Sequence, residues 1–494
     1  MASFIPWTLL GPILHAAAFV LVSYHVLSER REPSSALLWI FIAWALPLFG
    51  PIAYLCFGIN RISLKGRQKH EYDELLLAAR RRREEAGEAL ADWQGLRSDA
   101  VVPPAEGFER DIHRALDILL PDHPVLDGNS IDFLLTGDEA IPAIFDSIRS
   151  ARHHIHLQSF IIGGDAVGRE LMELLAQKAR EGVQIRLLHD RFGSTFALLR
   201  GLFNEYRNLE NLHIAGWTQA NVLKRQFQIN LRNHRKILVV DGTEAYCGGV
   251  NLSSVNQSCN GRPPIRDYHF RLRGPVVHEL QYTFMRDWHF ITESSPDDLL
   301  QPEFFPRIEP RGERRCRLIN SGPGGEYGVA RDIVFQAFTM AEKQILAVTP
   351  YFVPPMDILK ALSAAALRGV DVRLVVPERN NHWFAGMASR AYYQELLEAG
   401  VRIFQRPPPF MHAKAIILDG QFTLVGTANL DVRSLVLNYE TNLAVYDEVF
   451  ADQMKAVALD EIATSREILL QAWRARPHHR RLAENLLSLL TPIL

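Results

Sequence analysis

Closely spaced cysteines and an excess of charge of either sign are both missing from this sequence. Its 494 residues include four cysteines, Cys56, Cys247, Cys259 and Cys316, and none has the C-x-x-C spacing of a zinc or redox site. A disulfide framework is therefore not indicated, and a reducing compartment fits the composition. The 54 basic and 56 acidic side chains give a formal charge of -2, so no global field would attract nucleic acid as a partner.

Charged side chains are also missing from Met1 to Ser28, a stretch apolar and long enough to span a membrane. A second uncharged stretch follows a short loop and ends at Asn60. We therefore expect two transmembrane helices, a hairpin, in residues 1–60. The first stretch has no preceding basic residue and no following A-x-A site, which argues against a cleaved signal peptide. Pro47 and Pro51 leave open a pair of buried core helices or a re-entrant hairpin.

Basic residues after the second stretch outnumber those in the loop between the two stretches: Arg61, Lys65, Arg67 and Lys69 against Arg30 and Arg31. By the positive-inside tendency, this asymmetry places the rest of the chain in the cytoplasm, as part of a multi-pass membrane protein. Residues 61–106 are rich in alanine and charge, which predicts an exposed helical linker near the lipid surface. A plain solvated helix is the alternative interpretation.

Beyond Gly107 one pattern of short strands and amphipathic helices occurs twice. In the first half a helix leads to HIHLQSFII, a second helix follows, and then EGVQIRLLHD. The second half repeats this order with QILAVTPYF and RGVDVRLVVP. The pattern predicts an α/β fold with two homologous domains facing each other, at 107–305 and 306–494.

Each half also carries His-x-Lys, four residues and then Asp, in HRKILVVD and HAKAIILD. Residues two apart on a strand share a face, so His234 and Lys236 are expected to project into one site together. His412 and Lys414 occupy the same positions in the second copy. The catalytic signature comprises six residues: His234, Lys236, Asp241, His412, Lys414 and Asp419.

The residues after each signature predict a tight hairpin. Asp-Gly follows the apolar run in both copies, so Asp241 and Asp419 are assigned to hydrogen bonds at the turn and strand end. The returning strands end in Gly-Gly-Val-Asn and Gly-Thr-Ala-Asn. Small residues there let the backbone approach a ligand, and Asn251 and Asn429 each offer an uncharged donor to it.

The duplicated HxKxxxxD signature resembles the phospholipase D superfamily, and the extension NLDVRSLVLNYE is similar to its bacterial cardiolipin synthase branch. The resemblance covers nearly the entire chain, including RREPSSALLW, GPIAYLCFG and RRLAENLLSLLTPIL. It implies two phospholipase D-like α/β sandwich domains behind the N-terminal hairpin, in the bacterial inner membrane. The sequence departs from the family after Asn251, where Leu252-Ser253-Ser254-Val255 replaces the usual acidic pair.

The activity that the resemblance implies is transfer of a phosphatidyl group from one phosphatidylglycerol to another, which gives cardiolipin and glycerol. A neutral histidine avoids the repulsion that an alkoxide meets at a phosphodiester anion, and it forms a phosphohistidine. The second histidine protonates the leaving glycerol and later deprotonates the incoming alcohol. No metal or other cofactor is expected, because the lysines and Asn251 and Asn429 would hold the phosphate oxygens.

Two finer expectations concern the surroundings of the histidines. Each imidazole should be oriented by a carboxylate, and the resemblance places Glu440 against His412 and Asp267 against His234. The first histidine also has cationic neighbours in the sequence: Lys224, Arg225, Arg232 and Arg235. These cations would keep His234 neutral, which predicts that it is the nucleophile and that His412 is the general acid.

Three other functions compete with this interpretation. Another phosphatidyltransferase or a phospholipid hydrolase would share the signature and differ only in the acceptor. A nuclease of the same superfamily is disfavoured by the near-neutral charge and the apolar N-terminus. A catalytically silent membrane scaffold is disfavoured because both signatures are intact.

Overall fold

The structure of the chain is a computed structural model that describes residues 7–29, 33–58, 62–86, 107–217, 232–259 and 261–489. The chain divides into two compact units, Met1–Lys65 and Gly66–Leu494. The signature residues of both halves lie in the second unit.

The first unit is a helical hairpin. Its helices are α1 (Trp7–Ser28), α2 (Pro33–Ala45) and α3 (Phe49–Ala53). Within the described residues, one helix is long and apolar enough to cross a membrane, over Leu10–Ser28, and 11% of that window is buried. The second helix is shorter, with 13 residues, because the chain turns at Pro47, whose ring cannot continue an α-helix.

The second unit is an α/β body in which long helices cover a large sheet. Its helices are α4 (Ile62–Glu85, which begins in the first unit), α5 (Phe108–Leu119), α6 (Thr136–Ser150), α7 (Ala166–Arg180), α8 (Thr195–Leu199), α9 (Val276–Thr292), α10 (Pro296–Leu299), α11 (Val329–Met340), α12 (Met356–Leu367), α13 (Trp383–Ala399), α14 (Glu448–Ala463), α15 (Leu470–Arg474) and α16 (His478–Ser488).

The strands of the first half are β1 (Leu126–Leu135), β2 (His154–Ser159), β3 (Gln184–Asp190), β4 (Leu212–Trp217), β5 (Ile237–Val240), β6 (Glu244–Gly248) and β7 (Tyr268–Arg273). Those of the second half are β8 (Arg314–Ser321), β9 (Gln344–Val348), β10 (Phe352–Val353), β11 (Asp371–Pro377), β12 (Arg402–Arg406), β13 (Ala415–Leu418), β14 (Phe422–Gly426), β15 (Leu430–Asp431), β16 (Glu440–Tyr446) and β17 (Arg466–Ile468).

The two halves join in one sheet of 15 strands, in the order β17-β12-β11-β9-β13-β14-β16-β8-β1-β7-β6-β5-β2-β3-β4. Outward from and including the antiparallel pair β8 and β1, seven strands follow the same order on each side, and β17 is an additional edge strand of the second half. The duplication seen in the sequence is thus a near two-fold arrangement in space. One core cluster is shared, because it contains Val239 and Phe270 of the first half together with Val348 and Leu443 of the second. The predicted boundary at 305/306 lies between β7 and β8.

Helix α4 differs from the sequence expectation. The described part of residues 61–106 is helical over Ile62–Glu85, as predicted, but its charged residues are not all exposed: Lys69 and Arg80 are buried together with Leu76. Arg80 lies over the ring of Tyr282 at 4.9 Å and donates to Glu84 at 2.8 Å. The charge-rich helix is therefore part of the folded body, and residues 87–106 of the predicted linker lie outside the described residues.

Lys69 and Asp73 of α4 belong to a closed ring of ion pairs with alternating sign, which we call the charge ring. Its members, in order of contact, are Lys69, Asp73, Arg286, Glu326, Arg235 and Asp287. The ring is closed by the 3.4 Å contact between Lys69 Nζ and Asp287 Oδ1. Because three cations meet three anions, each charge of the ring has a partner of opposite sign on either side.

Candidate active site

The histidine and lysine of each signature lie immediately before a strand, β5 in the first half and β13 in the second. His234 and Lys236 precede Ile237, and His412 and Lys414 precede Ala415. The His-x-Lys segments are thus the extended approach to a strand rather than part of it. In both halves the side chain of the lysine binds the backbone of the histidine, because each lysine Nζ donates to the carbonyl of the histidine two positions before it.

The turns after the signatures confirm the role predicted for the two aspartates. Asp241 and Gly242 have φ of 50° and 64°, the left-handed pair that a tight hairpin needs, and Asp419 and Gly420 repeat it at 54° and 71°. The carboxylate of Asp241 accepts the backbone N–H groups of residues 152, 153 and 154 at 2.8 to 2.9 Å. Asp419 does the same for residues 342 to 344. These aspartates fasten the hairpins to β2 and β9.

Each signature segment pairs with a segment of the other half. The N–H of His234 donates to the carbonyl of Tyr439 at 2.9 Å, and the N–H of His412 donates to the carbonyl of Arg266 at 2.7 Å. The residue after each of these acceptors is a carboxylate, Glu440 or Asp267. The pairing therefore brings each acid to the histidine of the opposite half.

The carboxylate pairing inferred from the resemblance is wrong. His234 Nδ1 lies 2.9 Å from Glu440 Oε2, and His412 Nδ1 lies 2.6 Å from Asp267 Oδ2. The physical reason is the bridge just described, which joins the signature of one half to the carboxylate segment of the other. We call these two pairs the crosswise dyads. Gly249 leaves room for one of them, because a Cβ there would overlap the carboxylate of Asp267.

Burial and charge hold the dyads in a defined ionic state. Burial disfavours the charged form of Asp267, but Lys414 and His412 outweigh it and lower the pKa of that carboxyl. Burial likewise disfavours the charged form of Glu440, but His234 outweighs burial and lowers the pKa of the Glu440 carboxyl. Burial lowers the pKa of His234 against the opposing effect of Glu440, and burial and Lys414 lower the pKa of His412 to about 4. Both imidazoles are therefore neutral beside ionised carboxylates.

The two lysines unite the dyads into one composite site. Burial lowers the pKa of Lys236 to about 7, helped by Lys414, and lowers the pKa of Lys414 to about 8. Lys414 also lowers the pKa of His234, and Lys236 lowers that of His412, so the field of each half reaches the histidine of the other. A phosphodiester anion bound here would restore the charge of both lysines.

The supporting asparagines are not equivalent, although their positions in the two copies match. Asn251 accepts the N–H of Ile161 at 3.3 Å through its carbonyl oxygen, and its amide nitrogen would be the donor to a phosphate oxygen. The amide nitrogen of Asn429 donates instead to Asp431 and Ser434, both at 3.1 Å. Asn429 therefore organises the loop of its own half.

Asp165 supplies the acidic group that the sequence lacks after Asn251. Its carboxylate accepts the hydroxyl of Ser253 at 2.7 Å and the N–H of Ser254 at 2.9 Å. In the second copy Asp431 occupies the position of Ser253 and accepts the N–H of Ser434 at 2.7 Å. Sequence reasoning missed Asp165, because it lies 88 positions before Ser253 and outside the signature.

Arg235 is a second residue whose role the sequence prediction missed. Its guanidinium turns away from the dyads into the charge ring, where it donates to Asp287 at 2.8 Å and to the carbonyl of Glu440 at 3.1 Å. The cationic setting proposed for His234 is therefore wrong as far as Arg235 is concerned, and Lys224 and Arg225 lie outside the described residues. Burial lowers the pKa of both imidazoles, so the assignment of His412 as the general acid stays a prediction.

The geometry suits the exchange of groups at a phosphodiester. Both Nδ1 atoms face carboxylates, so each Nε2 would be the reacting atom, and two buried lysines would supply positive charge to phosphate oxygens. On duplicated α/β halves, this arrangement defines an enzyme of the phospholipase D class.

Comparison with known proteins identifies the family. The family profile described as "Cardiolipin synthase, PLD-like domain" matches residues 144–288 and 334–459. A second, "Phospholipase_D-nuclease N-terminal", matches residues 17–58. The chain belongs to the cardiolipin synthase family of the phospholipase D superfamily.

Curated relatives match nearly from end to end. The cardiolipin synthase of Geobacillus kaustophilus is 33% identical over 492 residues, which cover 98% of this chain and 93% of that protein. The major cardiolipin synthase ClsA of Bacillus subtilis is 32% identical, with 95% of each chain covered. Cardiolipin synthase A of Pseudomonas syringae is 34% identical with the same coverage.

A solved structure supports the fold alone. The phosphatidylserine synthase of Haemophilus influenzae superposes with a TM-score of 0.59 at 15% sequence identity, over 77% of this chain and 97% of that one.

Proposed function

We propose that this enzyme transfers a phosphatidyl group from one phosphatidylglycerol to the free hydroxyl of another, which gives cardiolipin and glycerol. The observation that carries the proposal is the pair of crosswise dyads, each with its own lysine, in one composite site. The family and its full-length relatives, which are named for cardiolipin synthesis, support the choice of substrate.

The reaction would proceed in two displacements at phosphorus. In the first, Nε2 of one neutral histidine attacks, the bond from phosphorus to the glycerol oxygen breaks, and the other histidine gives its Nε2 proton to that oxygen. The second histidine must be protonated for this, and the bound phosphodiester anion would raise its pKa accordingly. In the second, the latter histidine removes a proton from the acceptor hydroxyl, whose oxygen attacks phosphorus and displaces the first histidine. Lys236, Lys414 and the amide of Asn251 would stabilise the oxygens that gain charge.

The decisive experiment incubates the full-length protein with phosphatidylglycerol alone, in buffer that contains EDTA. Cardiolipin and glycerol in equal amounts are expected, and phosphatidic acid as the main product would identify a hydrolase instead. His234→Ala and His412→Ala should each lower turnover about 10³-fold or more, because nucleophile and acid act as a unit. Dependence on an added divalent ion would contradict the metal-free mechanism.

A covalent intermediate can be trapped to identify the nucleophile. Rapid quenching at alkaline pH, where phosphohistidine survives, should leave a phosphatidyl adduct on one of two peptides, with His234 or with His412. The sequence prediction assigns the adduct to His234. An adduct on His412 would exchange the roles, and an adduct on neither would contradict the two-displacement mechanism.

We further propose that both N-terminal helices cross the inner membrane and that the catalytic body lies on the cytoplasmic side. Support comes from the apolar helix Leu10–Ser28, the shorter apolar helix after it, and the basic residues that follow them. Labelling of cysteines introduced at position 31 and at position 67 by an impermeant reagent in spheroplasts tests this. Position 67 should be protected until the membrane is opened, and position 31 should be accessible from outside.

A further inference from the structure

Four large apolar side chains stand exposed on two loops of the catalytic body. Phe192, Phe196 and Leu199 are 58%, 76% and 79% exposed on and beside the short helix α8, and Trp383 is 68% exposed at the start of α13. We call these four residues the aromatic rim. Large apolar side chains gathered in this way on a surface mark a contact with another apolar body.

The duplication relates the two sides of the rim. Strands β3 and β11 are equivalent in the two halves, and they end at Asp190 and Pro377. Phe196 and Trp383 are each the sixth residue beyond those ends. Both halves therefore present an exposed aromatic ring at the same point of the fold, which a chance exposure in one loop would not produce.

Both loops are fastened to the aromatic residues that pack on the catalytic histidines. In the first half, Ser194 Oγ donates to the carbonyl of Phe160 at 3.3 Å, and the ring of Phe160 lies 4.9 Å from that of His234. In the second half, the hydroxyl of Tyr351 donates to Asn381 at 2.7 Å, and its ring lies 6.1 Å from that of His412. The rim thus flanks the composite site on both sides.

Exposed arginines lie beside the rim. Arg191, Arg200 and Arg379 are exposed on the same two loops, and the guanidinium of Arg232 lies 3.5 Å from the ring centre of Phe192. Aromatic rings with basic neighbours are suited to the interface of a bilayer with anionic headgroups, where rings lie at headgroup depth and arginines meet phosphates.

We infer that the aromatic rim is the surface by which the catalytic body docks on an anionic lipid bilayer, so that phosphatidylglycerol enters the composite site from the membrane between Phe196 and Trp383. The inference rests on the proposed function for the identity of the lipid. Binding of a protein partner does not require contacts at equivalent positions on both sides of the site. A bilayer surface that delivers substrate to the site between them does require such contacts.

A depth probe tests the contact in the full-length protein. In a chain with Cys56→Ser and Cys259→Ser, where Cys247 and Cys316 are buried, an environment-sensitive fluorophore is attached to Phe196→Cys or Trp383→Cys. In nanodiscs with brominated phosphatidylglycerol both probes should shift to the blue and be quenched. Leu367→Cys, at a position 74% exposed at the end of α12, is the matched control and should stay in water. Probes at 196 and 383 that behave like the control would overturn the inference.

Kinetics give a second and independent readout. The double variant Phe196→Ser with Trp383→Ser should lower turnover of long-chain phosphatidylglycerol in vesicles about tenfold or more. The reason is that the two rings that would be buried in the bilayer are lost. Turnover of short-chain phosphatidylglycerol, dispersed as monomers, should stay near that of the wild type, and Leu367→Ser should change neither. Equal loss on both substrates, or loss on neither, would contradict docking. A wild-type protein that makes no cardiolipin from either substrate would refute the proposed function, while the depth probe would still report on the surface.

Discussion

At the scale of single residues, the crosswise dyads make the two halves depend on each other. His234 is 206 positions from Glu440, and His412 is 145 positions from Asp267. Loss of either partner leaves a buried polar group without its hydrogen bond, which costs about 1–3 kcal/mol.

Double-mutant cycles on the free energy of unfolding can verify this pairing. The substitutions His234→Ala and Glu440→Gln should be coupled by about 1–3 kcal/mol, because each removes the partner of the other. His234→Ala with Asp267→Asn should be nearly additive, and this pair is the matched control. Coupling between His234 and Asp267 would restore the pairing inferred from the sequence.

The pKa values of the two lysines predict the alkaline limb of the pH profile of kcat/KM. In the free enzyme the pKa of Lys236 is about 7 and that of Lys414 about 8. Because the charged form binds the phosphodiester, kcat/KM should fall as the pH rises through about 7 to 8. The alkaline limb of the kcat profile should lie at a higher pH than that of kcat/KM, since a bound anion raises the pKa of both lysines.

Measurement of kcat and kcat/KM from pH 5 to pH 10 would check that order. Identical alkaline limbs in both parameters would show that the lysines do not contact the charged substrate. Lys236→Arg should move the limb of kcat/KM upward, because a guanidinium stays charged throughout that range.

At the scale of elements, the two β-hairpins after the signatures can be predicted from the sequence, whereas the residues that pack against a helix such as α4 cannot. The Asp-Gly turns after β5 and β13 follow from local sequence, since a tight hairpin needs left-handed backbone at both positions. The burial of α4 depends on contacts such as that between Asp73 and Arg286, which are 213 positions apart. No local pattern reports such a contact, so the sequence predicts an exposed helix where the structure has a partly buried one.

The same limit explains the errors at the site. The six signature residues could be found because they repeat at fixed spacing, and their segments lie where that spacing predicts. Which half supplies the carboxylate to each histidine depends on how two similarly folded halves meet, and each half carries both a signature and a carboxylate. Arg235 could have been excluded from the site, since it alternates with His234 and Lys236 and faces the other way.

The charge ring predicts that α4 supports catalysis from a distance. Lys69→Met leaves Asp73 and Asp287 buried with one cation fewer, which should destabilise the body by about 3–5 kcal/mol. Because Arg235 in the ring holds the carbonyl of Glu440, kcat should also fall while KM changes little. Thermal unfolding and steady-state kinetics would measure both effects.

The control for Lys69→Met is an ion pair outside the ring. Arg476 donates to both oxygens of Glu484 at 2.8 Å between α15 and α16, with side-chain exposures of 17% and 4%. Arg476→Met should lower stability and leave kcat unchanged in the protein that stays folded. A loss of kcat in both variants would show only general destabilisation.

At the scale of the whole molecule, the division into two units predicts what the N-terminus contributes. Deletion of residues 1–60 should leave the body folded, because α4 and the charge ring are retained and, among the described residues, no strand of the sheet comes from the deleted segment. Much of the truncated protein should leave the membrane fraction, and the remainder should be released by high salt.

Circular dichroism and fractionation of the truncated chain would test that expectation. An unfolded product would show that the hairpin is needed for the body to fold. A folded product that stays with the membrane at high salt would show that the body inserts more deeply than a surface contact allows.

The crosswise dyads also bear on how such a chain can evolve. After most tandem duplications one copy is free to drift, since the other still performs the original task. Here each copy holds the acid that its twin requires, so the loss of Glu440 disables the first copy and the loss of Asp267 the second. Neither copy is a spare. Differences between the copies must then accumulate around the dyads and not within them. One example is the pair Ser253 and Asp165 in the first copy, where the second copy has Asp431. The surroundings of the site are therefore the place where substrate preference can diverge.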